Sequence, residues 1–323
     1  MLYRLLYIPA KFALWIYCRH LAINNKEYLS LKGPLLIAAN HPNSFLDAII
    51  LSTLFKRPVY SLARGDAFVK PFYKKLLLSL NMFPVYRISE GVENLENNYE
   101  TFENCKEIFK KNGIVLIFSE GRCINEWKLR PLKKGTARLA QSSWQEGIPL
   151  KILPAGINYQ SFHSFGKNIR LNFGNIITEN DIRSVEGFGK TINEFNDRLR
   201  TELSALVLET EKGDTEKIKN HFYIHQHPAK KIMLFIPAFL GYVLHAPLYL
   251  PVKKISRVKG GHNDHFDSLL VGMLFLFYPL FLLLAGLLVY WFVGGFWWVL
   301  VFILLPFFAW SFVQLKRQFK LHE

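Results

Sequence analysis

The sequence predicts an α/β domain with a largely parallel sheet flanked by helices, held at a membrane by apolar segments. Short apolar runs alternate with helical patterns over the first two thirds of the chain, which is typical of parallel sheets. From Ser268 to Leu315 there is no charged residue, although charged residues make up 20% of the chain. The net charge is +15. Basic residues beside long apolar runs favour anionic membrane lipids, and not nucleic acid, as the partner.

Residues 1–25 are predicted to form an amphipathic helix in the membrane interface. The stretch from Leu2 to Ile23 mixes apolar and aromatic residues with Arg4, Lys11 and Arg19. The basic residues are interspersed and no small-residue cleavage site follows, so a signal peptide is not expected. Basic, aromatic-rich amphipathic helices suit the interface. The alternative is an ordinary amphipathic helix packed on the domain.

Residues 26–215 are predicted to form the α/β domain. Strands are expected at 34–40, 58–63, 82–86, 114–118, 149–157 and 169–173. Helices are expected at 45–55, 70–80, 94–111, 136–144 and, closing the domain, 192–211. The three cysteines lack the spacing of a metal site or a disulfide framework, so reduced thiols in a cytoplasmic domain are expected.

Residues 268–315 are predicted to form a transmembrane helical hairpin. Ser268–Phe292 and Phe296–Gln314 are each long enough to cross about 30 Å of hydrocarbon as a helix. Gly294 and Gly295 separate them. A buried hairpin of a soluble protein is a weak alternative for so long an uncharged stretch.

Basic residues predict how the hairpin is oriented. They flank it in the linker, residues 216–267, and in the tail, residues 316–323. Basic flanks mark the cytoplasmic side of a membrane, so both ends of the hairpin and the α/β domain are expected on the cytoplasmic face. Within the linker, residues 232–252 are long enough to cross but carry three prolines and have lysines at both ends. An interfacial or re-entrant element is expected there.

The sharpest functional signal is the run Asn40-His41-Pro42-Asn43-Ser44-Phe45-Leu46-Asp47, which lies where a predicted strand ends and a helix begins. Open α/β folds bind ligands at the carboxyl ends of their strands. A neutral imidazole is the usual general base near pH 7, and a carboxylate can fix its tautomer. His41 and Asp47 are therefore candidate catalytic residues. The alternative is structural, with Ser44 as N-cap and Asp47 as the acidic partner of a capping box.

Two further motifs contain an apolar strand followed by an arginine. Phe118-Ser119-Glu120-Gly121-Arg122 is one, and Phe83-Pro84-Val85-Tyr86-Arg87 is the other. Glycine lets the backbone turn sharply close to a ligand, and arginine can grip a phosphate with two parallel hydrogen bonds. A strand-ending turn with a salt bridge has the same sequence pattern. A parallel sheet would gather all these residues on one rim, and this convergence is more informative than any single motif.

In their order along the chain, these blocks resemble the glycerolipid acyltransferases, which include the 1-acylglycerol-3-phosphate and glycerol-3-phosphate acyltransferases. The matching blocks are Asn40-His41 with Asp47, Phe83 with Arg87, Phe118 with Glu120-Gly121-Arg122, and Pro154 in an apolar strand. They cover about residues 31–177.

The chain departs from the common family pattern in two places. Five residues separate His41 from Asp47, where four are common, and the longer spacing is similar to the yeast-type glycerol-3-phosphate and dihydroxyacetone-phosphate acyltransferases. In the third block Ser119 replaces a proline and Arg122 comes one place early. The second departure leaves the identity of the acceptor open.

The resemblance implies O-acyl transfer in phospholipid biosynthesis. His41 would act as general base and Asp47 would orient it. The donor is expected to be acyl-CoA or acyl carrier protein, and the favoured acceptor is 1-acyl-sn-glycerol-3-phosphate, giving phosphatidic acid. The resemblance implies no cofactor, no metal and no acyl-enzyme.

The resemblance also implies a phosphate-binding set. Its members are Arg87, Arg122, Glu120 and Gly121, with Lys133, Lys134 and Ser44 as further candidates. A solvated basic loop is the alternative for the two lysines.

Two other functions stay open at this point. The acceptor could be glycerol 3-phosphate or another lysolipid, or the chain could be a non-catalytic membrane adaptor that kept the fold. The presence of both His41 and Asp47 speaks against the adaptor. Because every catalytic candidate precedes Ile177, the domain is expected to keep some activity in detergent after deletion of residues 268–323.

Overall fold

The computed structural model of the chain describes residues 2–86, 97–182 and 187–319. The strands are β1 (Cys18–Ile23), β2 (Leu35–Ala39), β3 (Val59–Arg64), β4 (Met82–Val85), β5 (Ile114–Phe118), β6 (Lys151–Tyr159) and β7 (Lys167–Phe173). The α-helices are α1 (Leu2–Tyr17), α2 (Phe45–Leu54), α3 (Pro71–Ser79), α4 (Asn97–Lys110), α5 (Gly135–Gln145), α6 (Phe188–Leu206), α7 (Thr215–Phe222), α8 (Pro228–Gly260), α9 (Phe266–Val293) and α10 (Trp298–Leu315).

The seven strands form one sheet in the order β1-β7-β6-β2-β5-β3-β4. Among the strand pairs of the described residues, only β6–β7 is antiparallel. Strands β2 and β5 are central and consist almost entirely of buried apolar residues, as expected for parallel strands covered on both faces. The predicted fold class, a largely parallel sheet flanked by helices, is confirmed.

Two apolar cores cover the two faces of the sheet. Residues of α2, such as Leu46 and Ile50, belong to one core. Residues of α4, α5 and α6, such as Phe109, Leu139 and Leu199, belong to the other. The sheet is therefore a rigid middle layer, and its rim holds the loops that follow the strands in fixed positions.

The register of the central strands decides which loops meet. Ala39, the last residue of β2, pairs with Phe118 at the end of β5 and with Ala155 within β6. The residues after β2 and β5 therefore emerge side by side, while β6 continues for four more residues along the same edge to Tyr159.

The amino-terminal helix is shorter than predicted. Helix α1 ends at Tyr17, and Cys18–Ile23 forms the edge strand β1, which pairs in parallel with β7. Cys18 and Arg19 are buried, so ladder hydrogen bonds and burial outweigh the helical pattern of this segment. The prediction of one helix over residues 1–25 is wrong for its last third, while the interfacial role of α1 stays a prediction.

Helices α8, α9 and α10 are long and apolar enough to cross a membrane, by length and composition. Helices α9 and α10 form the predicted hairpin. Its turn contains Gly294 and Gly295 with φ of 72° and 60°, a conformation that glycine adopts without strain. Most of the large apolar side chains of the hairpin are exposed to the surroundings, as expected for a lipid-facing surface.

Both ends of α8 lie beside the α/β domain. Just before the helix, the Phe222 carbonyl accepts from Asn168 Nδ2 in β7 at 2.8 Å. Just after it, Asp264 Oδ1 accepts from the Asn125 N–H at 2.9 Å. A single crossing would separate the two ends by the thickness of the bilayer. This arrangement favours the interfacial placement of residues 232–252, which stays a prediction, although they form part of one continuous helix.

The hairpin is docked on the α/β domain by polar contacts. Arg19 Nε donates to the Val313 carbonyl oxygen at 3.2 Å, and Gln314 Nε2 donates to the Arg19 carbonyl oxygen at 3.2 Å. Gln318 Oε1 accepts from Asn168 Nδ2 at 2.9 Å. Removing residues 268–323 would take these partners away from Arg19 and Asn168, which are both buried. The structure therefore argues against the expectation that the domain works without the hairpin.

Candidate active site

Asn40 anchors the loop after β2 by extending the ladder between β2 and β6. Its Nδ2 donates to the Ile157 carbonyl oxygen at 3.1 Å, and its Oδ1 accepts from the Ile157 N–H at 2.7 Å. An amide side chain can make both bonds because it carries a donor and an acceptor. His41, the next residue, therefore leaves the sheet at a fixed position.

His41 presents one ring nitrogen to the surroundings. Its Nδ1 lies 2.9 Å from Asp47 Oδ2, and its ring stacks on Phe118 with 3.9 Å between the centroids. An ionised carboxylate only accepts hydrogen bonds, so the tautomer of a neutral imidazole that fits this contact carries its proton on Nδ1 and a lone pair on Nε2. Nε2 bonds to none of the described residues, and 19% of the side chain is exposed. Nε2 is therefore available to a ligand.

Asp47, in the first turn of α2, is fully buried and accepts three hydrogen bonds. Oδ2 accepts from His41 Nδ1 and from the Asn43 N–H, the latter at 2.8 Å. Oδ1 accepts from the Tyr159 hydroxyl at 2.7 Å. The three donors come from the loop and from β6, so the carboxylate cannot turn away from His41 without losing hydrogen bonds.

Ser44 and Asp47 do not form the capping box that was the structural alternative for this segment. Ser44 precedes α2 but its side chain makes no capping hydrogen bond. Its hydroxyl lies 2.9 Å from His265 Nδ1, and its N–H donates to Cys123 Sγ at 2.8 Å. Asp47 bonds to the N–H of Asn43 and not to that of Ser44. The carboxylate therefore holds the histidine loop.

Glu120, which follows β5, is hydrogen-bonded to the loop that carries His41. Its Oε2 accepts from the His41 N–H at 3.0 Å, and its Oε1 accepts from the Arg130 N–H at 2.9 Å. Glu120 is buried. Burial raises the pKa of Glu120, and the two N–H donors act in the opposite direction. The side chain thus orders the backbone of the His41 loop through these two N–H groups, and its part in phosphate binding stays a prediction.

The turn after Glu120 carries the basic candidates. Gly121 has a φ of 67°, and a Cβ there would lie 3.0 Å from Lys133 Cγ, so the backbone makes a turn that favours glycine, while a part of Gly121 in phosphate binding stays a prediction. Arg122, Lys133 and Lys134 are exposed. The Lys133 N–H donates to the Ser119 carbonyl oxygen at 2.8 Å. Three cations therefore lie on one surface beside the His41 loop.

The loops of the first and third blocks are bonded to each other. The Ile124 N–H donates to the His41 carbonyl oxygen at 3.3 Å, and Asn125 Nδ2 donates to the Pro42 carbonyl oxygen at 2.7 Å. The predicted meeting of these two motifs on one rim is confirmed. Arg87 lies outside the described residues, although β4 before it pairs Val85 with Arg64 at the same edge.

Cys123 is not a nucleophile in this arrangement. Burial, followed by the charge of Asp47, raises the pKa of Cys123 far above its usual value. The thiol therefore stays protonated, and a thiol is a much weaker nucleophile than a thiolate. The described residues contain no group of three or more His, Cys, Asp or Glu side chains that could hold a metal. Independence from metals and cofactors stays a prediction.

Several residues that form the site were not predicted from the sequence. Tyr159 bonds Asp47, Asn43 donates its N–H to the same carboxylate, and His265 bonds Ser44. Tyr159 lies two residues beyond the predicted end of its strand. A prediction of a longer strand would have placed Tyr159 at this edge of the sheet. No local signal connects His265 to Ser44, because 221 residues separate them.

Part of the chain matches a known protein family. A protein-family model described as Acyltransferase matches residues 20–158. A search of curated proteins finds no match. Among solved structures, the 1-acyl-sn-glycerophosphate (LPA) acyltransferase PlsC from Thermotoga maritima is similar with a TM-score of 0.45 and 14% sequence identity, over 69% of this chain and 81% of that chain. Residues 20–158, which hold His41, Asp47 and Glu120, therefore form an acyltransferase domain.

Proposed function

We propose that the protein transfers a fatty acyl group from a thioester donor to a hydroxyl of a glycerol phosphate at the cytoplasmic face of a membrane. The favoured acceptor is 1-acyl-sn-glycerol-3-phosphate and the product phosphatidic acid, with acyl-CoA or acyl carrier protein as donor. The observation that carries this proposal is the His41 ring, fixed on one side by buried Asp47 and open on the other at Nε2.

The reaction needs a base that first removes and then returns one proton. His41 Nε2 takes the proton from the acceptor hydroxyl while its oxygen attacks the thioester carbonyl. The tetrahedral oxyanion collapses, the carbon–sulfur bond breaks, and the thiolate receives the proton from His41. Asp47 keeps Nδ1 protonated and stabilises the imidazolium between these two steps.

The basic surface beside His41 supports a phosphate-bearing acceptor. Arg122 offers a planar pair of donors, which suits two phosphate oxygens, and it makes no hydrogen bond or ion pair with a described residue. Lys133 and Lys134 add positive charge next to it. Arg87 is proposed as the second arginine on the strength of the family resemblance.

The apolar helices support a lipid substrate. An apolar cavity of about 580 Å³ lies between α1, α8, α9 and α10, and two of its lining residues, Tyr17 and Val271, also pack in the apolar core on one face of the sheet. Such a space suits a hydrocarbon chain, since nearly all of its lining is apolar. An acceptor in the bilayer would then offer its phosphate to the basic surface.

A product analysis tests the proposal. The full-length protein in lipid nanodiscs is given labelled acyl-CoA or labelled acyl carrier protein, together with 1-acyl-sn-glycerol-3-phosphate, glycerol 3-phosphate or a neutral lysolipid. We expect labelled phosphatidic acid, and loss of at least about 100-fold of the rate in His41→Ala. Transfer only to another acceptor would replace the proposed substrate. No transfer to any acceptor, or full transfer by His41→Ala, would refute the mechanism.

A further inference from the structure

A second buried charge pair lies behind the His41–Asp47 pair. Lys167, at the start of β7, and Asp267, in the first turn of α9, are both fully buried and form an ion pair. Lys167 also donates to the Ser161 carbonyl oxygen. Neither side chain is open to a substrate, so neither can take a direct part in acyl transfer.

Asn43 connects this ion pair to the candidate active site. Its Nδ2 donates to Asp267 Oδ2 at 2.9 Å, and its backbone N–H donates to Asp47 Oδ2 at 2.8 Å. Asn43 is fully buried. One residue therefore bridges the carboxylate that faces His41 and the carboxylate of the apolar helix α9.

Tyr159 makes the second connection. The Lys167 ammonium lies 5.7 Å from the centroid of the Tyr159 ring, within the range of a cation–π contact. The Tyr159 hydroxyl donates to Asp47 Oδ1. The centroid of the Tyr17 ring lies 5.8 Å from the same ammonium, and the Tyr17 hydroxyl donates to Asp267 Oδ2 at 3.4 Å. Both oxygens of Asp47 are thus held by residues that contact the Lys167–Asp267 pair.

An ion pair at this depth calls for a reason other than stability. Taking two charges out of water is costly, and apolar replacements of similar volume are often as stable or more so. Asp267 Oδ1 and Asn43 Oδ1 are buried without a hydrogen-bond partner among the described residues, so the cluster is not optimised for stability alone. What the cluster does accomplish is to fix two of the three donors to Asp47.

We propose that Tyr159, Lys167 and Asp267 are positioning residues for acyl transfer, and that docking of α9 assembles the His41–Asp47 pair. This inference rests on the proposed function. Helix α9 then does more than anchor the domain, because its first turn supplies Asp267 to the support of the active site. The domain is able to catalyse acyl transfer when the hairpin of α9 and α10 is docked on it.

Tyr159→Phe is the sharpest variant, since it removes one hydroxyl and keeps the ring beside Lys167. One hydrogen bond to a buried carboxylate corresponds to about ten- to a hundredfold in rate. We expect kcat to fall by about tenfold, with KM for donor and acceptor unchanged. Tyr28→Phe is the matched control, because the Tyr28 ring also packs on the sheet, 6.1 Å from Phe173. A Tyr159→Phe enzyme with kcat within twofold of the wild type overturns the proposal.

A double variant separates positioning from stability. Lys167→Met and Asp267→Asn each leave one buried partner of the pair unmatched, whereas together they remove both charges. We expect the double variant to regain thermal stability over the single variants while kcat stays low. Recovery of kcat together with stability would mean that the pair is only structural, and overturns the proposal. Should the double variant not fold, the Tyr159→Phe result decides.

One measurement does not depend on the proposed substrate. Modification of His41 by diethyl pyrocarbonate, followed by peptide mass spectrometry, reports on the state of Nε2 directly. Loosening Asp47 should slow this modification in Tyr159→Phe and not in Tyr28→Phe. Equal modification rates in both variants overturn the positioning role, whereas absence of acyl transfer by the wild type would count against the proposed function alone.

Discussion

Replacing Asp47 by asparagine isolates the charge that faces His41. Asparagine has the same shape, and its one oxygen can stay at the Oδ2 position, where it accepts from His41 Nδ1 and the Asn43 N–H. Its amide group would then face the Tyr159 hydroxyl, which can rotate to accept instead of donating. The hydrogen bonds are thus largely kept, while the negative charge is lost.

The structure sets the size of the effect. Two unit charges about 4 Å apart near a protein surface attract by about 4 kcal/mol, which corresponds to about a thousandfold in rate. The imidazolium charge is spread over the ring and His41 is partly exposed, so we expect kcat of Asp47→Asn to fall by at least about 100-fold. The free energy of unfolding should fall by only about 1–2 kcal/mol, since the hydrogen bonds remain.

The assay is acyl transfer by the purified protein in nanodiscs, with thermal unfolding measured on the same samples. Asp214→Asn is the control, because Asp214 is a true helix cap that accepts from the Lys217 N–H at 2.9 Å. That variant should change stability slightly and leave kcat unaltered. If Asp47→Asn behaves like Asp214→Asn, with kcat within about threefold of the wild type, Asp47 is a structural residue and the reasoning fails.

Further outcomes are expected for two variants and for the attachment to the membrane. Arg122→Lys should raise KM for the acceptor by about tenfold and leave KM for the donor unchanged, because lysine cannot hold two phosphate oxygens in a planar pair; steady-state kinetics with each substrate varied checks this, and an unchanged acceptor KM contradicts it. Glu120→Gln places an amide donor against the N–H of His41 or Arg130, so its free energy of unfolding should fall by about 1–3 kcal/mol; an unchanged denaturation midpoint would rule out the support role. The full-length protein should resist extraction by high salt, and a protease site added after Glu323 should be cut only from the cytoplasmic side. Truncation at Asp267 should abolish protease resistance and activity in detergent. Release of the full-length protein by salt, cleavage from the outside, or an active truncated protein would each contradict one of these expectations.

Much of the fold is visible in the sequence because local patterns and sheet topology agree. Residues 114–118 are apolar throughout and are followed by Glu120 and Gly121, a pattern that is typical of a buried strand that ends in a turn. The parallel arrangement then predicts that the residues after β2 and β5 meet at one rim. That inference needs no knowledge of side-chain contacts, and it holds for His41 and Glu120.

The supporting contacts of the site could not be predicted, since they join residues far apart in the chain. Asn43 and Asp267 are separated by 224 residues, and Lys167 and Asp267 by 100. Asp267 reads in the sequence as an acidic residue favoured at a helix amino terminus. Its partner Lys167 reads as one more cation of a basic chain. Only the tertiary fold, which brings the first turn of α9 to the start of β7, turns the two into a buried pair.

The departures from the common family pattern have local explanations in the structure. Five residues between His41 and Asp47 make the loop one residue longer, and Ser44 takes a φ of 52° just before α2. A positive φ is uncommon outside glycine, and here it turns the chain so that the first turn of α2 still brings Asp47 within 2.9 Å of Nδ1. In the third block, the N–H of Ser119 donates to the Ala39 carbonyl oxygen at 2.9 Å.

Proline could not make the Ser119 bond, because it has no N–H. This hydrogen bond ties the strand that carries Glu120 to the strand that carries His41, at the point where both loops begin. The longer loop and the missing proline are thus linked in space. When the His41 loop is one residue longer, an additional hydrogen bond from the neighbouring turn helps to hold it in place. The variant Ser119→Pro removes this hydrogen bond. It should loosen the His41 loop and lower kcat, whereas a proline variant with full activity would show that the two departures are independent.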